Sequence, residues 1–298
     1  MLYRIEIDIK KSIKVIPLKK EAENFNYDED LVEEEYNKLE EYVDNDSEHE
    51  DHLHEGDPDL DRYSDIKSYK HNIISINTEK NYINASPINI INDKYFISTQ
   101  GPKNETIEDL WTMVEEHKCN VIVMLCKNKE RGKEKCACYW KEKNDKKYSI
   151  KVLKEDKKEE DDYFIREIQI INNNTKKEKI VHQIHFVGWP DHGVPDTSDK
   201  KIFDIFNKII ELVDTYKGDG PIVTHCSAGV GRTGTFISMY FLEKEIRSQI
   251  NNKVNEIKFS VFNLVRKLKE MRLYLVQTEI QYEFIYQYVE YLLKKFNK

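Results

Sequence analysis

The sequence predicts one domain of the α/β (α+β) class, and two observations support that prediction. Strand-like segments dominate the middle of the chain, from about residue 70 to 190, whereas helix-like segments dominate after residue 197. No linker rich in proline, glycine or serine divides the 298 residues, which suffice for a complete hydrophobic core. Mixed strands followed by helices in one uninterrupted chain are typical of a single layered domain.

The composition is that of a globular protein with a highly polar surface. Hydrophobic residues make up 39% of the chain and charged residues 34%, with a formal net charge of -8. This charge opposes bulk attraction to nucleic acid or to anionic membranes, so any anion-binding site must be local. No apolar run reaches the length of a signal peptide or of a membrane span.

The chain contains five cysteines, which is an odd number. Together with the lack of a signal peptide, that count favours a reducing compartment, and we expect a cytoplasmic location. The five are Cys119, Cys126, Cys136, Cys138 and Cys226.

The N-terminal part of the chain predicts an arm, a helix and a loop. Residues 1–20 alternate weakly between apolar and polar, which is compatible with an edge strand or a loose arm. We therefore expect an N-terminal arm over residues 1–24 and the main domain over residues 25–298. Residues 28–43 repeat apolar side chains at helical spacing, and the acidic residues 44–61 predict an exposed loop. The apolar stripe of this helix consists of Leu31, Tyr36, Leu39 and Val43.

The middle of the chain supplies the predicted strands. Strand length and composition mark the segments "NYINASPI", "KYFISTQ" and "NVIVMLC", and a helix, "ETIEDLWTMVEEH", lies between the second and the third. The segment "DYFIREIQIINNNTKKEKIVHQIHFV" predicts a hairpin that turns at Asn172 to Lys176, and the charge run 154–161 predicts another hairpin tip. A further strand, "KCACYW", would point Cys136 and Cys138 to the same side of a sheet.

Four amphipathic helices are predicted after residue 197. Apolar residues recur at helical spacing in "TSDKKIFDIFNKIIELVDTY", "GTFISMYFLEKEI", "FSVFNLVRKLKEMR" and "EIQYEFIYQYVEYLLKKF". The second helix begins directly after a glycine-rich turn, and that junction is the most informative stretch of the chain.

The junction, "VTHCSAGVGRTGTF" over residues 223–236, predicts a binding site for a tetrahedral anion. A strand that enters a helix through a glycine-rich turn directs backbone N–H groups towards one spot, where the helix dipole adds positive potential. Gly229 and Gly231 permit the tight conformations that such a turn needs. Arg232 adds a planar cation that binds oxyanions through two hydrogen bonds.

Cys226 lies at the mouth of this turn, where the positive field that holds an anion also favours the thiolate form of cysteine. The site therefore presents a nucleophile to the phosphorus of a bound phosphate. The turn lacks the Gly-Lys-Ser/Thr ending of a nucleotide-binding loop. The alternative, a buried turn of small residues with an inert cysteine, does not account for the spacing of His225, Cys226 and Arg232.

The stretch resembles the signature of the protein tyrosine phosphatases, in which histidine and cysteine are followed by any five residues, an arginine and a serine or threonine. Here the matching residues are His225, Cys226, Arg232 and Thr233. Six other segments resemble the family in its own order: "RYSDI", "NYINAS", "TQGP", "KCACYW", "WPDHGVP" and "QTEIQYEF". The resemblance is to the phosphotyrosine-specific type with a single catalytic domain. It implies a twisted, mostly parallel central sheet with antiparallel edges and helices on both faces.

The resemblance also implies an acid and two water-positioning residues. Asp191, in a loop that Trp189, prolines and a glycine make into a stiff flap, would protonate the leaving tyrosine and later activate water. Gln277 and Gln281 would hold that water, because neutral amides orient water without acting as bases. The glutamines also fit an ordinary helix start that Thr278 caps, and both interpretations can hold together.

The remaining site residues follow from the same resemblance. Thr233 would donate a hydrogen bond to the sulfur of Cys226. Arg232 would be fixed by a glutamate, with Glu130 the first candidate and Glu134 a poorer one; a solvated charged hairpin is the alternative. The backbone amides that hold the phosphate would be those of Ser227, Ala228, Gly229, Val230, Gly231 and Arg232.

Substrate recognition would depend on Tyr63 and Asp65. By resemblance, the ring of Tyr63 stacks on the phosphotyrosine ring and makes the pocket too deep for phosphoserine, and Asp65 binds amides of a peptide substrate. The alternative for Tyr63 is an ordinary core position. The surrounding loop departs from the family pattern, with Leu60, Asp61 and Ser68 among the differing positions.

The expected activity is hydrolysis of protein phosphotyrosine through a cysteinyl-phosphate intermediate, without a metal or another cofactor. We expect a monomer whose partners are tyrosine-phosphorylated proteins, without nucleic acid and without a membrane span. A catalytically weak phosphotyrosine-binding module would be signalled by loss of Cys226, Arg232 or Asp191, and all three are present. A phosphoinositide phosphatase would favour lysines inside the signature turn, which Ser227, Ala228 and Val230 do not supply.

Overall fold

A mixed eight-stranded sheet runs through the part of the chain that the structure, a computed structural model, describes. Around it, the described residues form six α-helices and two small two-stranded sheets. The described residues are 12–17, 24–44, 52–91, 94–190, 193–198 and 201–296.

The helices and strands follow the predicted order closely. The helices are α1 (Glu29–Asp44), α2 (Ile107–Glu116), α3 (Lys201–Tyr216), α4 (Gly231–Asn251), α5 (Val261–Met271) and α6 (Glu279–Phe296). The strands are β1 (Lys14–Pro17), β2 (Ala85–Ile91), β3 (Lys94–Thr99), β4 (Val121–Met124), β5 (Lys129–Glu130), β6 (Lys133–Glu134), β7 (Lys143–Asn144), β8 (Tyr148–Lys158), β9 (Tyr163–Asn172), β10 (Glu178–Phe186), β11 (Ile222–His225) and β12 (Glu256–Phe259).

The large sheet has the strand order β2-β3-β11-β4-β10-β9-β8-β7. Parallel pairing joins the four strands β3, β11, β4 and β10 at its centre. Antiparallel pairing extends the sheet on both sides, through β2 beside β3 and through β9, β8 and β7 beside β10. The predicted hairpin is the antiparallel pair of β9 and β10. The predicted α/β class with a parallel centre and antiparallel edges is confirmed, although four of the seven strand pairings in this sheet are antiparallel and three are parallel.

The central strands are apolar because both of their faces are covered. Every residue of β4, "VIVM", and of β11, "IVTH", is buried, which is typical of strands between two layers. Helix α3 packs against β10 and β4, while α4 packs against β11 and β3. Ligands of such sheets bind beyond the carboxyl ends of the parallel strands. The end of β11 therefore places the signature turn at a favourable position.

Helix α1 confirms the predicted N-terminal helix but not its whole stripe. Val32, Tyr36 and Leu39 are buried, whereas Leu31 is only half-buried. Val32 lies about 40° from Tyr36 around the helix and Leu31 about 140°, so the helical period itself places Val32, and not Leu31, on the face that packs against α6. The side chain of Val43 lies outside the described residues, as do residues 45–51 of the predicted acidic loop.

Part of the predicted arm forms a strand. β1 pairs antiparallel with β12, and the hydroxyl groups of Ser12 and Ser260 lie 2.7 Å apart beside this ladder. The edge-strand alternative therefore holds for residues 14–17. Residues 1–11 and 18–23 lie outside the described part of the chain.

The predicted strand "KCACYW" is wrong. The backbone here hydrogen-bonds to a neighbouring loop, with the N–H of Ala137 donating to the carbonyl of Pro102, 2.8 Å away, and it turns at residues 139–140. Cys136 is buried and Cys138 is exposed, so the two thiols do not share one environment. The side chains of this segment favour a strand, but its hydrogen bonds to the neighbouring loop determine its conformation instead.

The charge run 154–161 lies mostly on a strand. β8 continues to Lys158, and only the residues after it form the tip, where Asp162 takes a left-handed conformation with φ of 54°. Side chains of a strand alternate between its two faces, and from Leu153 onwards most side chains of β8 on both faces are exposed, because this end of the strand extends past the core.

Gly234 generates a prediction about the packing of α4. A Cβ at this position would lie 2.4 Å from the backbone nitrogen of Val276 and 2.9 Å from the carbonyl carbon of Leu275. Gly234→Ala should therefore lower the free energy of unfolding by about 1–3 kcal/mol, although alanine favours a helix. Ser248→Ala, on the exposed face of α4, is the control in urea titrations. Equal stability of the two variants would contradict this packing.

His185 generates a prediction about pH dependence. It is buried on β10, its Nδ1 accepts from Arg166, and its Nε2–H donates to the carbonyl of Cys126, 2.8 Å away. Burial lowers its pKa to about 3, and the charge of Arg166 acts in the same direction. The folded state therefore stays neutral where the unfolded state binds a proton, below a pKa of about 6.5.

Stability should consequently fall as the pH drops from about 6.5, by up to about 1.4 kcal/mol per pH unit from this residue. The pH dependence of His185→Gln should be shallower than that of the wild type in urea unfolding between pH 7 and pH 5. Parallel curves would show that the side chain is protonated in the folded protein as well.

Candidate active site

The turn between β11 and α4 has its carbonyl groups bound on its outer side. Each of four consecutive carbonyl oxygens, those of residues 226–229, accepts a hydrogen bond from the surrounding protein. Because a trans peptide holds its C=O and N–H on opposite sides, the N–H groups of residues 227–230 point to the inner side of the turn. The donors are Nδ1 of His225 at 3.0 Å, N of Gly101 at 2.9 Å, a guanidinium nitrogen of Arg272 at 3.2 Å, and Oγ of Ser98 at 2.7 Å with Nε of Arg272 at 3.1 Å.

Gly229 makes this conformation possible. Its φ is +73°, and a Cβ there would lie 2.1 Å from the carbonyl oxygen of Thr99 at the end of β3. An L-residue would meet both a strained backbone and a collision with a central strand. Cys226, at the start of the turn, is 5% exposed, and the N-terminus of α4 follows the turn directly. The converging N–H groups and the helix dipole therefore surround this sulfur with positive potential.

Arg232 is held by a buried ion pair with Glu130. Two guanidinium nitrogens lie 2.7 Å and 2.8 Å from the two carboxylate oxygens of Glu130, and one also donates to the carbonyl of Leu125 at 3.2 Å. Burial disfavours the charge of Arg232, but the hydrogen bonds to Glu130 outweigh it and raise the pKa of the guanidinium. Glu134, the other glutamate considered, is exposed and lies 3.5 Å from Arg62 instead.

His225 is a buried support of the turn. Its Nδ1–H donates to the carbonyl of Cys226, and its Nε2 accepts from the hydroxyl of Tyr139 at 2.8 Å. Gln183 donates in turn to that hydroxyl at 2.7 Å, which fixes this assignment of the imidazole. Burial lowers the pKa of His225 to about 4, so the ring is neutral at pH 7 and orients the Cys226 peptide without adding charge.

Tyr63 reaches the signature turn from the loop before β2. Its hydroxyl lies 2.8 Å from Oγ of Ser227, which itself donates to the carbonyl of Lys135 at 2.9 Å. The adjacent Arg62 anchors the loop through its guanidinium, which donates to the carbonyls of Gly101 and Pro102 at 2.8 Å and 2.7 Å. Tyr63 is half-buried rather than part of the core, and Asp65 is exposed.

The departures in this loop have structural partners. Asp61, expected to be exposed, is 9% exposed and accepts hydrogen bonds from Tyr82 at 2.6 Å and Asn84 at 3.0 Å. Ser68 is fully buried and accepts from Arg272 at 2.9 Å. Asp61 therefore ties the loop around Tyr63 to the segment before β2, and Ser68 ties it to Arg272, which also binds the signature turn.

Sequence reasoning missed Arg272, which joins three parts of the site. It is fully buried, and its guanidinium donates to the signature turn, to Ser68 and to Asn84. Burial lowers its pKa to about 10, which leaves it charged at neutral pH beneath the turn. The available signal was an arginine inside the otherwise apolar stretch "MRLYLV" ahead of the glutamines.

The two glutamines lie against the first residue of α4. A Cβ on Gly231 would be 2.9 Å from Oε1 of Gln281 and 3.3 Å from Cβ of Gln277. Oε1 of Gln281 also accepts from the N–H of Gln277 at 3.0 Å, and Oγ1 of Thr278 accepts from the N–H of Gln281 at 3.3 Å. Thr278 therefore caps α6, and the two glutamines also lie close to the signature turn, so both interpretations of this segment hold together.

Two expectations for the remaining site residues have different outcomes. The predicted hydrogen bond from Thr233 to the sulfur of Cys226 is not formed in this structure. Among the described residues, the buried Oγ1 of Thr233 has no hydrogen-bond partner. Trp189 is buried between Phe206 and Phe284, and its indole donates to the carbonyl of Gly193 at 2.9 Å across the flap. Asp191 lies outside the described residues.

The described residues contain neither a candidate metal centre nor a candidate membrane-spanning helix. No group of three or more histidine, cysteine, aspartate or glutamate side chains there is arranged to bind a metal ion. None of the helices described for this chain is both long enough and apolar enough to cross a bilayer.

This geometry suits a phosphate monoester. The inward N–H groups and Arg232 can bind the oxygens of a tetrahedral dianion, and the sulfur of Cys226 lies at the same site. The half-buried Tyr63 lies beside the signature turn, which its hydroxyl contacts at Ser227.

Comparison with known proteins supports this assignment. Residues 57–291 match the family model described as protein-tyrosine phosphatase. Tyrosine-protein phosphatase non-receptor type 20 from Rattus norvegicus is 37% identical over 238 residues, which cover 78% of this chain and 53% of the relative. Receptor-type tyrosine-protein phosphatase epsilon from Rattus norvegicus is 43% identical over 220 residues, 71% of this chain and 30% of the relative. The chain thus spans about half, or less, of the length of these curated relatives.

Solved structures agree with the sequence matches. The catalytic domain of human protein tyrosine phosphatase non-receptor type 18 superimposes with a TM-score of 0.76 at 26% identity, over 89% of this chain and 96% of that one. A second structure, PTPN18 in complex with HER2-pY1196 phosphopeptides, has a TM-score of 0.77 at 25% identity, over 88% of this chain and 93% of that one. The chain belongs to the protein-tyrosine phosphatase family.

Proposed function

We propose that this protein hydrolyses phosphotyrosine in other proteins through a cysteinyl-phosphate intermediate. The observation that carries the proposal is the signature turn, whose outer carbonyls are all bound, so that its N–H groups face the same space as Cys226 and the Arg232–Glu130 pair. Membership of the family supports it, and so does the phosphopeptide complex of a relative.

In the first step, the thiolate of Cys226 attacks phosphorus, forming an S–P bond as the bond from phosphorus to the tyrosyl oxygen breaks. Asp191 donates its proton to that oxygen, so a neutral phenol leaves. Arg232 and the N–H groups of residues 227–232 hold the three equatorial oxygens, whose charge they neutralise in the transition state.

In the second step, water attacks the phosphocysteine and the S–P bond breaks. Gln277 and Gln281 orient the water, and Asp191 takes its proton. The leaving sulfur carries negative charge, and Thr233 can donate a hydrogen bond to it. The hydroxyl of Thr233 is available for this role because it is buried without a partner among the described residues.

The substrate is selected by depth and by main-chain contacts. The ring of Tyr63, held through its hydroxyl to Ser227, would stack on the ring of phosphotyrosine. Asp65 is exposed beside it and would accept hydrogen bonds from amides of a bound peptide. Phosphoserine would be too short to reach Cys226 past this wall.

We also propose a cytoplasmic, monomeric protein with its catalytic domain over residues 25–298 and an arm over residues 1–24. All five cysteines are free thiols, which suits a reducing compartment and a thiolate nucleophile. Size-exclusion chromatography with light scattering tests the monomer, and fractionation of cells tests the compartment.

The nucleophile and the acid give the first functional prediction. Cys226→Ser should abolish turnover of para-nitrophenyl phosphate while phosphopeptide binding remains. Asp191→Ala should lower kcat by about two to four orders of magnitude, because the leaving group then departs unprotonated. Wild-type turnover by Asp191→Ala would identify a different acid.

The wild type provides the control for the two alternative functions. If it binds phosphotyrosine peptides without turnover, the protein is a binding module. If phosphoinositides are hydrolysed faster than phosphotyrosine peptides at equal concentration, the proposed substrate class is wrong.

The buried ion pair gives the second prediction. Glu130→Gln leaves Arg232 buried without its counter-charge, so the free energy of unfolding should fall by about 3 kcal/mol or more. Binding of inorganic phosphate should weaken as well, because the guanidinium loses its fixed orientation. Glu134→Gln is the matched control, since its carboxylate is exposed. Equal effects of the two variants in urea unfolding and phosphate titration would contradict the role of Glu130.

A further inference from the structure

Tyr36, in the N-terminal helix α1, makes a direct hydrogen bond to the glutamine turn of the site. Its hydroxyl donates to the backbone carbonyl of Gln277 at 2.8 Å, although 241 positions separate the two residues in sequence. The ring packs against Tyr282 of α6 at 5.8 Å and is 7% exposed. A phenylalanine would supply that apolar packing, so the hydroxyl is needed only for the polar contact to Gln277.

The turn that ends at Gln277 has a strained backbone. Val276 has φ of +62°, a left-handed conformation that is rare for a β-branched residue and costs about 1–2 kcal/mol. Such a conformation persists only where surrounding contacts hold it. The N–H of Val276 donates to the carbonyl of Val230 at 3.3 Å, so the turn is fastened to the phosphate-binding segment itself.

Both peptide groups that flank Gln277 are bound. The N–H of the preceding peptide donates to Oε1 of Gln281 at 3.0 Å, and the C=O of the following peptide accepts from Tyr36. A planar peptide leaves each residue only φ and ψ as soft dihedrals. Fixing the two planes therefore fixes both dihedrals of Gln277 and the direction in which its side chain leaves the backbone.

The hydroxyl of Tyr36 is a dependable donor. Burial raises its pKa, and nearby Glu40 acts in the same direction, so the proton stays on the oxygen throughout the range in which the enzyme would work. Helix α1 is further tied to α6 through Glu35, which accepts from the hydroxyls of Tyr282 at 2.7 Å and Tyr286 at 2.5 Å. The helix therefore presents Tyr36 from a firmly docked position.

We propose that Tyr36 is a positioning residue for the hydrolysis of the phosphocysteine, acting by holding the backbone of Gln277. This inference rests on the proposed function, in which Gln277 orients the attacking water. The first step, attack of Cys226 on phosphorus, does not use Gln277. Loss of the Tyr36 hydroxyl should therefore slow the second step alone.

The test is a quench-flow experiment on the full chain with a ³²P-labelled phosphotyrosine peptide. Acid quenching traps the phosphocysteine, so its formation and decay are measured separately. In Tyr36→Phe, the rate constant of formation should match the wild type, and that of decay should fall about three- to tenfold, the effect of one neutral hydrogen bond.

Tyr286→Phe is the matched control. It also removes a hydroxyl that bonds α1 to α6, but it leaves Gln277 untouched. Its decay constant should equal the wild type even if its urea midpoint falls as much as that of Tyr36→Phe. In a Gln277→Ala background, Tyr36→Phe should cause no further slowing, because the side chain that it orients is gone.

Three results would overturn the proposal. They are unchanged decay in Tyr36→Phe, equal slowing of formation and decay, or the same slowing in Tyr286→Phe, which would indicate general loosening of α1. These results leave the proposed function standing as long as the wild type forms the labelled intermediate. Absence of the intermediate in the wild type would instead refute the two-step function and this inference with it.

Discussion

The site depends on one constraint, the outward binding of consecutive carbonyl groups around Gly229. An N–H group can face a bound anion only if the oxygen of the same peptide unit is satisfied on the other side. Here the donors are His225 at the end of β11, Ser98 on β3, Gly101 in the loop after β3, and Arg272, so two central strands and the segment before the glutamines converge on the turn. Loss of the Arg272 guanidinium would leave the carbonyl of Ala228 unpaired and free its peptide to rotate, whereas the carbonyl of Gly229 would keep its bond from Ser98.

The electrostatics are local, as the net charge of -8 requires. Glu130 neutralises the charge of Arg232. The guanidinium of Arg272 is buried, and its hydrogen bonds among the described residues go to carbonyl, hydroxyl and amide oxygens and not to a carboxylate. Arg272 therefore contributes positive potential beneath the turn. His225, which precedes the nucleophile, contributes orientation and no charge at neutral pH.

Features that depend on residues close together in the sequence could be predicted, whereas contacts between residues far apart in the sequence could not. The helices and the central strands follow from apolar period, and Cys226 and Arg232 share one contiguous turn. Arg272 and Tyr36 act through hydrogen bonds that span more than 40 and 240 positions, and no local pattern reports them. The strand expected at "KCACYW" fails because its backbone bonds to residue 102, and Asp61 is buried because Tyr82 and Asn84 bind it.

Helix α1 has a consequence for where this domain begins. The family model starts at residue 57, yet Val32, Tyr36 and Leu39 belong to the same hydrophobic core as the helices that follow the signature. A chain cut at the start of the family match would leave apolar surface on α6 open to water and the hydroxyls of Tyr282 and Tyr286 without their carboxylate. The packed core thus begins before the residues that the family model matches, and a domain boundary placed at residue 57 would pass through it.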